Sequence, residues 1–184
     1  MNSPTHKVEK LRVCPPQESF ENTLFSACDF AGADLAGLRF EDCVFEDCRL
    51  SNARICGTVF NGVRFVRCPM EGLNFFEAYG LVMAVSFEAC ALDFCSFHGL
   101  SLKKTMFKNC SLRAAVFTQT DLTGATLERC DLSRAVFHKT RLDKADLSTS
   151  YHFVIDPDDN SLKKTRFSAL NLAGLLEKYD LEIE

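Results

Sequence analysis

Apolar residues recur at every fifth position along most of this chain. One run has twelve such positions from Phe20 to Phe75, and a second has thirteen from Phe87 to Leu147, after a phase shift of two residues. A helix would space apolar residues three and four apart, and a half-buried strand would alternate with a period of two. A period of five fits neither, and it indicates a short structural unit repeated many times.

The residue two places before each apolar centre is mostly small. Cys28, Ala33, Thr58 and Ala115 are examples. Each unit therefore has one large and one small inward side chain, while its other three positions are mostly polar. This pattern is typical of a solenoid with a narrow interior, in which each repeat contacts only its neighbours.

Residues twenty positions apart are chemically alike, which predicts a coil made of four five-residue units. Three such series are Cys28, Cys48 and Cys68; Cys90, Cys110 and Cys130; and Phe20, Phe40 and Phe60. Stacked backbones lie about 4.8 Å apart, so like side chains would be in contact along the axis. Phe rings can stack with an offset at that spacing.

Four units match a known consensus: ADLAG at 33–37, TDLTG at 120–124, CDLSR at 130–134 and ADLST at 145–149. They resemble the A(D/N)LXX repeat of the pentapeptide repeat family, and the resemblance covers residues 18–147 and again 160–174. It implies an all-β solenoid: a right-handed quadrilateral β-helix with a core of stacked Phe and Leu, for which the spacing gives 20 residues per coil. The helical spacing of Leu172, Leu175, Leu176 and Tyr179 separately predicts a short C-terminal helix at 172–179.

The phase shift lies within residues 75–87 and contains Gly80, a natural place for a kink because glycine adopts positive φ without steric cost. One interpretation is a local bulge in a single coil. The other, which we adopt, is a junction between a short β-helix subdomain at 18–79 and a longer one at 80–172. A second interruption at 148–161 keeps the phase and predicts an irregular final coil.

Both ends of a solenoid must be covered. Residues 1–17 are predicted to be an N-terminal extension or cap, expected to be loose because it contains Pro15 and Pro16 and little apolar material. Residues 173–184 are predicted to form a C-terminal helix and tail. The apolar residues near this end are a candidate dimer interface, with an intrachain cap as the alternative: Leu172, Leu175, Leu176, Tyr179, Leu181 and Ile183.

Charge and hydropathy narrow the functional classes. The 184 residues carry a formal net charge of -4, which argues against a nucleic-acid binder held by a basic surface. The first residues contain no apolar segment of a secretion signal, and no apolar run approaches membrane-spanning length. We therefore predict a cytoplasmic protein that contacts neither membrane nor nucleic acid.

The sequence offers few candidates for catalytic or metal-binding residues. Eight of the ten cysteines occupy the small inward position, and there is no CxxC motif, so we interpret them as buried structural residues. His98 and His138 are expected on one side about 10 Å apart, too far for one metal ion. A fold without a deep cleft gives a catalytic site little shelter. We predict a protein that is not an enzyme and has no catalytic residues, cofactor or metal.

Surface charge is the remaining functional signal. The stretch 101–113 contains only basic charges, at Lys103, Lys104, Lys108 and Arg113. The stretch 18–47 is strongly acidic, which we interpret either as a partner-binding acidic face or as ordinary surface polarity. Its acidic residues are Glu18, Glu21, Asp29, Asp34, Glu41, Asp42, Glu46 and Asp47.

A closer resemblance concerns AYGLVMAV at 78–85 and GLLEKYDLEI at 174–183. They are similar to the glycine junction and to the terminal helix and tail of Qnr-type quinolone-resistance proteins. This resemblance implies a homodimer formed through the C-terminus, a DNA-shaped rod that binds DNA gyrase and topoisomerase IV with carboxylates in place of phosphates. Quinolone resistance is the implied outcome. The chain differs in lacking inserted loops within 18–75 and 87–147, and the alternative is a generic protein-interaction scaffold.

Overall fold

The chain winds into a parallel β-solenoid. The structure, a computed structural model, describes residues 4–11, 18–80 and 83–182. Residues of the short strands pair with residues one coil later, as in Phe20 with Phe40 and Phe45 with Phe65. The predicted fold class, an all-β quadrilateral helix with 20 residues per coil, is confirmed.

The strands are short and all parallel. They are β1 (His6–Glu9), β2 (Ser19–Glu21), β3 (Thr23–Ser26), β4 (Arg39–Glu41), β5 (Val44–Glu46), β6 (Val59–Val66), β7 (Ala84–Glu88), β8 (Met106–Lys108) and β9 (Thr126–Glu128). The main path runs β1-β3-β5-β6-β7-β8-β9, while β2 pairs with β4 and β4 with β6. Single bridges, such as Ser111 with Asp131, continue the ladders elsewhere.

A left-handed residue at each corner explains the period of five. The residue two places after the apolar centre has positive φ in nearly every unit, for example Asp47 at 54° and Asn52 at 57°. Asn and Asp tolerate this conformation better than most residues. At Gly62, with φ of 67°, a Cβ would also lie 2.2 Å from Oδ1 of Asp42, so a larger residue there would displace the Asp42 side chain.

We number the four sides by the columns of inward residues beneath them. Side 1 lies over Phe20, Phe40, Phe60, Leu102, Leu122 and Leu142; side 2 over Phe25, Phe45, Phe65, Phe87, Phe107, Leu127 and Leu147; side 3 over Phe30, Leu50, Met70, Leu92, Leu112 and Leu132; and side 4 over Leu35, Ile55, Phe75, Phe97, Phe117 and Phe137. On side 2 the ring centroids from Phe25 to Phe107 are 4.7 to 5.4 Å apart, with nearly parallel planes. The core is thus a set of stacked columns joined by edge-to-face contacts.

Six of the cysteines form a single column, because the two predicted series join across the phase shift. The described cysteines are buried except Cys56, while Cys14 lies outside the described residues. The thiols also donate hydrogen bonds to inner carbonyls, as from Cys48 Sγ to Phe25 O at 3.3 Å and Cys68 Sγ to Phe45 O at 3.4 Å. Ser150 takes the same place one coil after Cys130, with Oγ donating to Leu127 O at 2.6 Å. The column therefore selects small hydrogen-bond donors.

The phase shift leaves the sheet continuous. Val63 pairs with Val85 and Asn74 bridges to Ser96, so this coil contains 22 residues where the others contain 20. Gly80 adopts φ of 93°, and Leu81 and Val82, which follow it in the sequence, lie outside the described residues. The ladders on the other three sides cross the shift, and a division into two subdomains stays a prediction.

The N-terminal segment differs from the loose cover expected. Residues His6–Glu9 form β1, which pairs in parallel with β3, Val8 lying opposite Phe25. The strand extends the sheet at its first edge, and Val8 and Leu11 pack against the core. Residues 12–17, which include both prolines, lie outside the described residues.

The predicted C-terminal helix is present as two 3-10 segments, Ala169–Leu175 and Glu177–Tyr179. Gly174 lies so close to the coil below that a Cβ would approach Phe153 O to 2.0 Å, and its carbonyl accepts a hydrogen bond from Ile155 N. In that irregular coil His152 is exposed, and Phe153 and Ile155 fill the core instead.

Candidate interaction surface

The charged and polar side chains of this protein lie on the outer surface of the solenoid, which has only open, shallow grooves. One groove, with a volume of about 510 Å³, crosses the edge between sides 1 and 2 beside the phase shift. Gly62, Met83 and Met106 contribute apolar lining, while Arg64 and Lys103 contribute charge. Such a wall offers broad contact area rather than an enclosed reaction site.

The structure distributes the eight predicted acidic residues over all four sides. Glu18, Glu21 and Glu41 lie on side 1, and Asp42 lies at its edge with side 2. Glu46 lies on side 2 and Asp47 at its edge with side 3, whereas Asp29 is on side 3 and Asp34 on side 4. Consecutive acids separate because every five residues carry the chain to the next side. Their role in binding a partner stays a prediction.

Arginines one coil later neutralise the acids that lie off side 1. Arg49 pairs with Asp29 at 3.3 Å and Arg54 with Asp34 at 2.9 Å. Arg67 contacts both carboxylates of the side 2 edge, Asp47 at 2.7 Å and Glu46 at 2.8 Å. These hydrogen bonds from Arg67 lower the pKa of Asp47. The sequence contains the signal, an arginine about twenty residues after an acid.

Aspartates that precede an apolar centre point outward and stabilise the local turn. Oδ1 of Asp121 accepts a hydrogen bond from Thr123 N at 3.0 Å. Oδ1 of Asp146 accepts from both N and Oγ of Ser148, at 3.0 and 2.6 Å. An acid at this position therefore stabilises its own turn, whether or not it also contacts a partner.

Asp93 is the one buried acid in the described chain, and sequence reasoning missed it. It is 5% exposed and accepts hydrogen bonds from Ser111 Oγ, from Arg113 N at 3.0 Å and from the Arg113 guanidinium at 2.6 and 2.9 Å. Burial acts to raise the pKa of Asp93, but the bonds from Arg113 and Ser111 outweigh it and lower that pKa. This pair ties two coils of side 3 together.

Ser133, His152 and Asp131 lie together, but their geometry is not that of a catalytic triad. Nδ1 of His152 is 3.1 Å from both Ser133 Oγ and Asp131 Oδ1, so one ring nitrogen faces both partners. Ser133 Oγ donates to Asp131 Oδ1 at 2.6 Å. A triad needs opposite ring nitrogens for acid and nucleophile. The cluster therefore stabilises a turn.

The predicted dimer residues separate into two groups. Leu175 packs against the core and Leu176 is half-buried, whereas Leu172, Tyr179 and Leu181 are exposed; Ile183 lies outside the described residues. Leu170, 92% exposed, adds to the apolar surface and was missed because it precedes the predicted helix. The segment is therefore an intrachain cap whose outer surface is apolar.

Lys178 fixes this segment to the irregular coil. Its Nζ lies 2.5 Å from Asp156 Oδ1 and also contacts the Asp158 carboxylate, and these hydrogen bonds raise the pKa of Lys178. Tyr179 OH donates to Asp158 at 3.5 Å. The apolar residues of the cap are thereby held in one arrangement.

Two further kinds of site are not found within residues 4–11, 18–80 and 83–182. No three His, Cys, Asp or Glu side chains converge there as metal ligands would. Nor does any helix in that part have the length and hydrophobicity needed to span a bilayer.

The observations define a parallel β-solenoid built from five-residue units, with a charged outer wall and an apolar C-terminal cap. The sequence matches the pentapeptide repeats family in eight copies, over residues 20–75 and 110–148. These segments make up just over half of the chain, which therefore belongs to the pentapeptide repeat family. A search of the curated proteins found no match.

Several solved structures are similar to this chain. Full-length QnrB1, a plasmid-mediated fluoroquinolone resistance protein, is 18% identical, with 96% of this chain and 98% of that chain covered and a TM-score of 0.42. A trypsin-treated variant of QnrB1 is 22% identical, with coverages of 97% and 99% and a TM-score of 0.48. Rfr23, from the cyanobacterium Cyanothece 51142, is 18% identical, with coverages of 57% and 84% and a TM-score of 0.31.

Proposed function

We propose that this protein acts without catalysis, as a dimeric rod that binds DNA gyrase or topoisomerase IV through the acidic part of side 1, with protection from quinolones as the outcome. The observation that supports this proposal most directly is the alignment of Glu18, Glu21, Glu41 and Asp42 along one side of a rigid solenoid. Carboxylates in adjacent coils lie about 4.8 Å apart, comparable with the roughly 3.4 Å charge spacing along one DNA strand.

Dimerisation through the cap would place the two acidic segments at opposite ends of the rod. The exposed side chains of Leu170, Leu172 and Leu181 supply apolar surface for that contact. Charging two of them with Leu172→Glu and Leu181→Glu should yield monomers in light scattering, while Leu175 and Lys178 keep the cap in place. An unchanged mass would locate the dimer contact elsewhere.

The decisive experiment is gyrase supercoiling with and without a quinolone, at micromolar concentrations of this protein. The wild type should protect, and Glu21→Lys should weaken protection at least fivefold, because it places a positive charge where the enzyme would bind a phosphate. The matched control is Glu71→Lys, which changes an acid on side 3. Neither protection nor inhibition by the wild type would refute gyrase binding.

A generic interaction scaffold is the second candidate, and exposed aromatic residues favour it. Phe94 is 69% exposed at the edge between sides 3 and 4, Phe76 on side 4 is 47% exposed, and Tyr79 lies nearby in the chain. Aromatic side chains dominate the energetics of many protein interfaces. If Phe94→Ser and Phe76→Ser abolish binding to a partner while Glu21→Lys does not, the aromatic surface is the binding site.

A further inference from the structure

Side 4 carries an apolar patch in the middle of the rod. The segments 94–99 and 114–119 contain no charged residue, although the outer surface is charged in most coils. Phe94 is 69% exposed, Phe76 is 47% exposed and Val136 is 45% exposed. Bridges between coils join one outward column through the patch: Asn74, Ser96, Val116 and Val136. Large apolar side chains are therefore grouped on one side of the solenoid.

Phe94 is unusual because the core does not require it. It lies at the corner between sides 3 and 4 with φ of 60°, and it is the one large apolar side chain among the described residues with positive φ. The equivalent corner one coil later is occupied by Ala114, with φ of 54°. A bulky residue is uncommon in this conformation, and backbone strain at an exposed position points to a function rather than to packing.

An antiparallel arrangement of two copies fits the patch to itself. In this arrangement a two-fold axis crosses side 4 at right angles to the rod, between the coil of Phe94 and the coil of Ala114. Each Phe94 then lies over Ala114 of the second copy, whose small side chain leaves room for the ring. In the middle of the side, Ser96 faces Val116 of the second copy. The uncharged segments of both copies therefore meet at the centre of the contact.

The charges around the patch are complementary in this register. Glu77 and Lys139 lie at the corner between sides 4 and 1, and neither forms an ion pair within 4.0 Å with any described residue. The two-fold axis sets Glu77 of each copy opposite Lys139 of the other. Arg54, which already pairs with Asp34, faces the acidic segment 156–159 of the second copy.

Neighbouring registers fit less well. Moving the axis half a coil toward the N-terminus brings Asp34 opposite the acidic segment 156–159. Moving it half a coil the other way sets Glu77 against Asp159 of that segment. A shift of a whole coil toward the N-terminus opposes no like charges, but it leaves Glu77 facing Gly99. Only the first register therefore joins the unpaired acid to the unpaired base without repulsion.

From this complementarity we infer that side 4 is a self-association surface, on which two copies pack antiparallel with Phe94 and Phe76 as anchors. Aromatic side chains of this kind dominate the energetics of many interfaces. Six coils take part, a strip of about 29 Å by 12 Å, or roughly 350 Å² per copy. This area is typical of weak and transient contacts. The inference depends neither on gyrase binding, which is proposed for side 1, nor on the C-terminal dimer.

Carbodiimide cross-linking of the full chain tests the register. Equal amounts of unlabelled and nitrogen-15-labelled protein are mixed, at about 100 µM in total. A direct amide link between Glu77 and Lys139 should then join peptides of opposite label, which only a contact between copies can produce. If this link were found only between peptides of the same label, it would form within one copy and the inference would fail.

Phe94→Asn separates association from folding. Because Asn tolerates the left-handed conformation, the variant should be at least as stable as the wild type in chemical denaturation. Its self-association in sedimentation should nevertheless weaken at least fivefold. Ala114→Lys should have a similar effect, since the longer side chain fills the space that Phe94 needs. The matched control is Ala89→Lys, at the corner between sides 2 and 3 with φ of 54°, which should leave association unchanged.

Charge reversal tests the edge of the contact. Glu77→Lys should weaken association, and the double change Glu77→Lys with Lys139→Glu should restore it. Failure of the double variant to restore association would refute the register.

A change at the C-terminus keeps this surface distinct from the proposed dimer contact. In the variant with Leu172→Glu and Leu181→Glu, the side 4 contact should remain as an equilibrium between monomer and dimer. No association in that variant at about 100 µM, or association that Phe94→Asn leaves unchanged, would overturn the inference. If the copies never associate while Phe94→Asn abolishes binding to a different protein, the patch belongs to that protein and the inference is equally overturned.

Discussion

Residues 18–75 and 87–147 contain the same repeat but connect their coils differently at the surface. The first region relies on exposed arginine–acid pairs such as Arg67 with Asp47, while the second includes the pair of exposed Arg113 with buried Asp93. Inside, Phe fills the side 1 column of the first region and Leu that of the second. The comparison shows that the inner columns tolerate a change of residue as long as the period is kept, whereas the surface bonds are particular to each coil.

The largest effect is expected from breaking a core column. Phe65→Ala should lower the free energy of unfolding by about 3–5 kcal/mol, because it removes a fully buried ring stacked on both neighbours. Leu122→Ala, in the second region, should cost about 2–5 kcal/mol. Chemical denaturation measures both. A loss below about 1 kcal/mol at Phe65 would contradict the stacked core.

The two kinds of inter-coil pair should differ clearly in strength. Asp93→Ala should destabilise the protein by about 1–3 kcal/mol, because it leaves Arg113 and Ser111 without their acceptor. Asp47→Ala removes an exposed pair and should cost less than about 1 kcal/mol. Equal losses in denaturation would show that burial does not distinguish the two regions.

The pH dependence of stability sharpens the same contrast. The pKa of Asp93 is lowered in the folded state, so its contribution is present above the ordinary carboxyl value near 4 and is lost as pH falls through the lowered pKa. The stability gap between wild type and Asp93→Asn should be full at about pH 6 and should narrow below about pH 4. If the stability difference between wild type and Asp93→Asn widened in acid, the pKa of Asp93 would be raised, not lowered, by folding.

The smallest expected effect concerns the buried cysteines, whose reactivity is measured by thiol labelling. Burial raises the pKa of Cys48 and of Cys95 to about 12, so native protein at about pH 8 should react at Cys56 and leave these two unlabelled in mass spectrometry. Replacement of Cys48 by Ser should cost less than about 1.5 kcal/mol, because Ser150 makes the equivalent bond in its own coil. Rapid labelling of Cys48 would contradict the closed column.

Much of the fold could be predicted from the chain, because the five-residue period is a local property repeated in every coil. The columns of Phe, Leu and Cys follow from spacing alone, as does the phase shift near Gly80. The candidate surface was less accessible to prediction. Glu18 and Asp34 belong to one acidic stretch of sequence, yet the corners place them on different sides.

The sequence by itself determined which residues face the interior, since each inward position is set by its place within its own repeat. Only the tertiary structure decided which outer groups meet. The burial of Asp93 by Ser111 and Arg113, the strand added by Val8, and the contact of Gly174 with Phe153 all join residues about twenty positions apart. The physical reason is that outward side chains are unconstrained by the repeat, so their partners depend on how successive coils stack and how the two ends close.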